Sequence, residues 1–100
     1  MVSKVKICST VYKVHKQDTI IESGNEVRFG DISYGNQLIR IATQYPYTKQ
    51  LQTLLHETFH GITDEYGITV DEKTLSVLSN AVYALIVDNK QMVKDILENK

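Results

Sequence analysis

The chain has 100 residues, 42% of them hydrophobic and 23% charged, which is ordinary for a single globular domain. Eleven basic residues against twelve acidic ones give a net charge of −1, so neither a nucleic-acid binder's basic stripe nor a polybasic membrane anchor is expected. The longest apolar run, Ala81–Val87, is far short of a bilayer span. Met1–Lys6 lacks a signal-peptide apolar stretch, and the lone Cys8 cannot form an internal disulfide, so a cytoplasmic setting is expected.

The pattern changes once along the chain, at Pro46. Before it the sequence is strand-like. From Lys4 to His15 it is rich in β-branched residues and tyrosine. Val5 and Ile7 alternate with polar neighbours, then Tyr12 and Val14 do so in the opposite phase, which predicts a bulge or break near Ser9-Thr10. Thr19-Ile20-Ile21 reads as a short continuation, and Ser23-Gly24-Asn25 as a turn. Phe29 to Tyr34 and Leu38 to Ala42 form a predicted hairpin around Gly35-Asn36. Cys8, in a β-branched strand, reads as a small core residue.

After Pro46 the period becomes helical. Thr48 is the expected N-cap of a helix ending near Tyr66, with Gly67 closing it. Leu51, Leu54, Leu55, Thr58, Ile62 and Tyr66 make its apolar stripe. A second helix starts around Asp71, with Leu75, Leu78, Val82, Leu85 and Ile86 as its core face. Asn89 can cap a last helix, whose stripe of Met92, Val93, Ile96 and Leu97 reads most simply as core, or, if exposed, as a dimer or partner surface. The expected architecture is α+β: a small antiparallel sheet of about three strands, then three helices, as one domain over residues 1–100.

The chemistry lies in the first helix. His56-Glu57-Thr58-Phe59-His60 is an H-E-x-x-H sequence. Side chains four apart share a helix face, so both imidazoles can reach one ion. Zinc accepts neutral imidazole nitrogen in four-coordinate geometry. Glu57, one position on, is placed to accept a proton from water activated by the ion. At about 100° per residue, His56 and His60 point away from the leucine stripe, toward a cleft or solvent. His15 reads as a polar residue at a strand end.

A catalytic zinc site commonly has three protein ligands. The best candidate for the third is Glu72, twelve residues after His60, with Asp71 as runner-up. A competing reading is structural: Thr69-Val70-Asp71-Glu72 fits a capping box, with Thr69 as N-cap and Glu72 reaching back to it. Spacing alone leaves capping and ligation open.

Ser33-Tyr34-Gly35-Asn36-Gln37-Leu38-Ile39-Arg40-Ile41, followed by Gln52-Thr53-Leu54-Leu55-His56-Glu57-Thr58-Phe59-His60-Gly61-Ile62 and the Asp88-Asn89 helix ending, resembles the short, often phage-encoded branch of the ImmA/IrrE-type metallopeptidases. The resemblance covers nearly the whole chain. It implies a minimal zincin-like domain with a gluzincin-like zinc site. His56, His60 and Glu72 would be the ligands and Glu57 the general base. Where larger members carry a Glu-Ala-Asn-type motif, this chain has Glu72-Lys73-Thr74. Larger relatives cleave transcriptional repressors, so a protein or peptide substrate is expected. The alternative is a metal-binding zincin fold with little or no activity that acts by binding a partner protein. Candidates for oxyanion stabilisation are Tyr45, Tyr47, Tyr66 and His15, by residue type alone. The Leu38–Ala42 strand is a candidate edge for holding an extended peptide.

Overall fold

In a computed structural model, which describes residues 1–22 and 24–99, the chain is α+β with a mixed sheet and three helices. Strands β1 (Lys4–Ile7) and β2 (Thr10–Gln17) form a hairpin closed at Cys8, whose φ of 57° is left-handed. The change of phase at Ser9-Thr10 is therefore a reversal of the chain, not a bulge in one strand. Cys8 sits exposed in that turn rather than in the core. Strands β3 (Ile20–Glu22) and β4 (Glu26–Arg28) make a separate two-stranded hairpin. The expected turn between them is present at Gly24-Asn25, while Ser23 lies outside the described residues.

Strands β5 (Gly30–Ser33) and β6 (Leu38–Ala42) form the hairpin expected from the sequence. The four-stranded sheet has the order β1-β2-β6-β5. Two features depart from the expected small antiparallel sheet. The sheet has four strands, and β6 runs parallel to β2, in register from Lys13↔Leu38 to Gln17↔Ala42. The crossover that makes this possible is residues 18–37, which carry the β3–β4 hairpin and β5. Because β6 is interior, the Leu38–Ala42 strand is not an edge; β5 is the edge on that side.

Helix α1 (Tyr47–Tyr66) packs across one face of the sheet. Its N-cap is Pro46, not Thr48, and the Pro46 carbonyl accepts from the Gln50 N–H. Gly67 ends it with φ 65°, donating its N–H back to the Asp64 and Thr63 carbonyls, as expected of a left-handed terminator. The buried line of α1 is Thr53, Glu57 and Gly61, flanked by the partly buried Leu54 and Ile62. Tyr66, expected in the stripe, is exposed. These side chains meet Ile7, Tyr12, Val14, Ile39 and Ile41 of the sheet, which form the core. Gly61 permits the close approach: a Cβ there would lie 2.5 Å from Ile7 Cδ1.

Helix α2 (Glu72–Asp88) packs against α1 through Leu75 and Ser79. Helix α3 (Lys90–Glu98) follows after one residue, Asn89. The Asn89 side chain does not cap α3; its amide donates backwards to the Leu85 carbonyl. The apolar residues of α3 are not core, since no residue of α3 is buried. Among the described residues no helix is long and apolar enough to cross a membrane.

Candidate metal centre

α1 and α2 bring three side chains from separate segments onto one point. His56 and His60 lie one turn apart on α1, beside its buried line, and both reach toward the first turn of α2. His56 Nε2 is 2.8 Å from one carboxylate oxygen of Glu72, and His60 Nε2 is 2.9 Å from the other. The imidazole rings are 5.0 Å apart and steeply inclined, at 70°. One nitrogen from each histidine and one Glu72 oxygen lie within 4.8 Å of one another, close enough to share a metal ion. Two imidazoles and a carboxylate are a donor set that suits zinc and leaves a fourth position free.

Glu72 is available because Asp71 takes the capping work. Asp71 is the N-cap of α2, and its side chain accepts from the Thr74 N–H at 2.7 Å. That hydrogen bond holds the Asp71 carboxyl below its usual pKa. The capping box with Thr69 as N-cap is therefore not formed, and Asp71 is not part of the triad. The expected alternatives for these two neighbours are resolved by the start of the helix. The helix begins two residues later than a Thr69 cap would place it, which makes Asp71 the cap and turns Glu72, the first helical residue, toward the histidines.

Glu57 is on the buried line of α1, one residue round from the histidines, and still reaches the cleft. Burial, then the negative charges of Asp31 and Glu72, push its carboxyl up to about 7, against a smaller opposing effect of Arg28. A carboxyl that titrates near neutrality can both take and return a proton there. Burial lowers the pKa of His56, with the Glu72 charge opposing it; this favours the neutral, metal-binding imidazole.

The triad forms the floor of a cleft of about 560 Å³. Lys49 and Gln52 contribute from α1, Ser76 and Asn80 from α2, and Arg28 and Phe29 from the chain entering β5. Phe29 meets Tyr45 in a tilted pair with ring centroids 4.6 Å apart, and Lys49 Nζ sits 4.1 Å over the Phe29 ring, a cation–π contact in the cleft lining. None of these lining residues was singled out from sequence. Lys49 and Gln52 could have been, since they precede His56 by seven and four residues on one helix face. Ser76 and Asn80 likewise follow Glu72 at four and eight. Arg28 and Phe29 carry no such signal, because the β2-to-β6 crossover alone brings them to the cleft.

Other expected participants lie elsewhere. His15 is exposed on the outer face of β2, away from the cleft. Tyr45, Tyr47 and Tyr66, candidates by residue type alone, are not among the residues that line it. Comparison with protein-family models, curated proteins and solved structures gives no match for this chain.

Proposed function

We propose that this protein is a zinc-dependent metallopeptidase with a minimal zincin-like domain, acting on a protein or peptide substrate in the cytoplasm. The observation that carries the reading is the joint grip of His56 and His60 on the Glu72 carboxylate beside a buried Glu57. Chance placement of an H-E-x-x-H sequence does not require a third ligand from another helix to converge on both imidazoles.

His56, His60 and Glu72 would hold the ion. When bound, zinc supplies Lewis acidity, polarising a scissile carbonyl and acidifying water. Glu57 would accept a proton from water at its carboxylate and pass it to the leaving amine. The substrate backbone lies along the open edge of β5, which borders the cleft at Gly30. Arg28, Lys49, Gln52, Ser76 and Asn80 are the side-chain donors lining the cleft from which an oxyanion partner would come. The resemblance to the short ImmA/IrrE-type proteins supports a protein or peptide substrate, while the repressor substrates of larger relatives do not carry over to this chain.

The alternative is a zincin-like fold that binds metal and acts by holding a partner protein. Glu57→Gln separates the two. The peptidase reading predicts that zinc is retained and peptide cleavage is lost. Retention of the biological effect by Glu57→Gln would favour the binding protein.

A further inference from the structure

We infer that the second half of α2 and all of α3 form a homodimer interface, and that the apolar face they present is covered by a second copy of this chain. The buried residues of α2, Leu75 and Ser79, are both in its first half, and α3 has none. On this arm Leu85, Met92, Ile96 and Leu97 are 42–66% exposed, and Leu78, seven residues before Leu85, extends the same face of α2 into its first half. Scattered apolar residues on a surface are ordinary, but apolar side chains gathered on two successive helices mark a binding face.

α3 itself requires a partner. A nine-residue helix is marginal in water without packing. Its polar side chains are occupied with each other: Gln91 donates to Asp95 at 2.8 Å, and Lys94 sits 3.9 Å from Glu98. What it offers outward is Met92, Ile96 and Leu97, with Val93 half-buried beside them.

The area of the whole chain points to a second copy. Its accessible surface is 6943 Å², where a compact monomer of this mass exposes about 5,800 Å². The excess is about 1,200 Å² per chain, and a stable interface removes about 800 Å² from each partner. The radius of gyration of 14.1 Å and the 46 Å long axis show the same projection, against about 13 Å expected for the radius. A two-fold contact needs a patch that complements itself, which an aliphatic helical arm does. A net charge of −1 sets little repulsion between copies. None of this depends on the metal.

The test is the mass of the full chain in solution by sedimentation equilibrium, beside Ile96→Glu/Leu97→Glu and Met92→Lys variants. The wild type is expected at about 23 kDa, twice the chain mass of 11.4 kDa, and both variants at the chain mass. Hydrogen exchange of the wild type guards against a variant that fails to fold. α3 amides should gain protection from dilute to concentrated solution, and β2 amides should not. A wild type that stays monomeric at high micromolar concentration overturns the proposal, whether or not the arm then binds lipid vesicles or another protein. So does a dimer of unchanged strength in both variants.

Discussion

Asp71 and Glu72 are adjacent in sequence and face different tasks: the first caps α2 through the Thr74 N–H, and the second reaches back to both histidines of α1. The cap fixes where the helix begins, and the helix start fixes which way Glu72 points. The two carboxylates therefore separate cleanly by substitution. Asp71→Ala should cost about 1 kcal/mol of stability, the usual loss of an N-cap, and leave zinc binding largely intact. Glu72→Ala, at an exposed side chain, should change stability little and weaken zinc binding by at least about tenfold. Denaturant midpoints and zinc titration of the two variants check both.

The pH dependence of the metal-free protein isolates Glu57. Its folded pKa, about 7, lies above the ordinary 4.5, so the folded state holds an extra proton between these values. That contribution is fully present below about 4.5 and is lost as pH rises through about 7. Metal-free wild type should lose about 1–3 kcal/mol across this window relative to Glu57→Gln, whose side chain does not titrate. Chemical denaturation of both proteins at pH 5 and pH 8 gives the difference. His56 contributes with the opposite sign, because its folded pKa is lowered, and is common to both proteins.

Gly30 sits where β5 meets both the interior strand and α1. A Cβ there would lie 2.6 Å from the Arg40 carbonyl oxygen and 2.7 Å from Thr53 Cγ2. Since the first of these is backbone, Gly30→Ala should destabilise by about 1–3 kcal/mol, as overpacked sites do. A urea melt shows it. The expected companion effect is a widened cleft and weaker peptide binding at the β5 edge.

Leu75 ties α2 to the body of the protein one turn after Glu72, and it is 1% exposed. Leu75→Ala should cost about 2–5 kcal/mol through the cavity it leaves. Because α2 carries Glu72, the proposed third ligand, zinc affinity should fall with it. Calorimetric zinc titration beside a thermal melt measures the two losses together.

How much of this was legible in the sequence depends on the range of the interaction. The H-E-x-x-H pair, the Gly67 stop and the β5–β6 hairpin are local, and each reads correctly from spacing and turn residues. The split between Asp71 and Glu72 was left open because capping and ligation use the same residue types at the same helix start. Glu57 reads from sequence as lying one position on from the histidines, and the structure adds that it is on the buried line of α1. The leucine pattern marks where apolar surface lies but not which face the sheet selects. The parallel β2–β6 pairing, and with it the placement of Arg28 and Phe29, depends on a crossover with no local signature. Met92, Val93, Ile96 and Leu97 read as core because amphipathic spacing does not tell a helix packed on its own chain from one left open to a partner.

The central claim is that His56, His60 and Glu72 bind one zinc. Elemental analysis of the purified, tag-free protein, beside His56→Ala/His60→Ala, Glu72→Ala and Asp71→Ala, tests it most directly. The account predicts about one zinc per chain in the wild type and in Asp71→Ala, and loss of it in the other two. A wild type that takes up no zinc at neutral pH, or triad variants that keep it, would contradict the account.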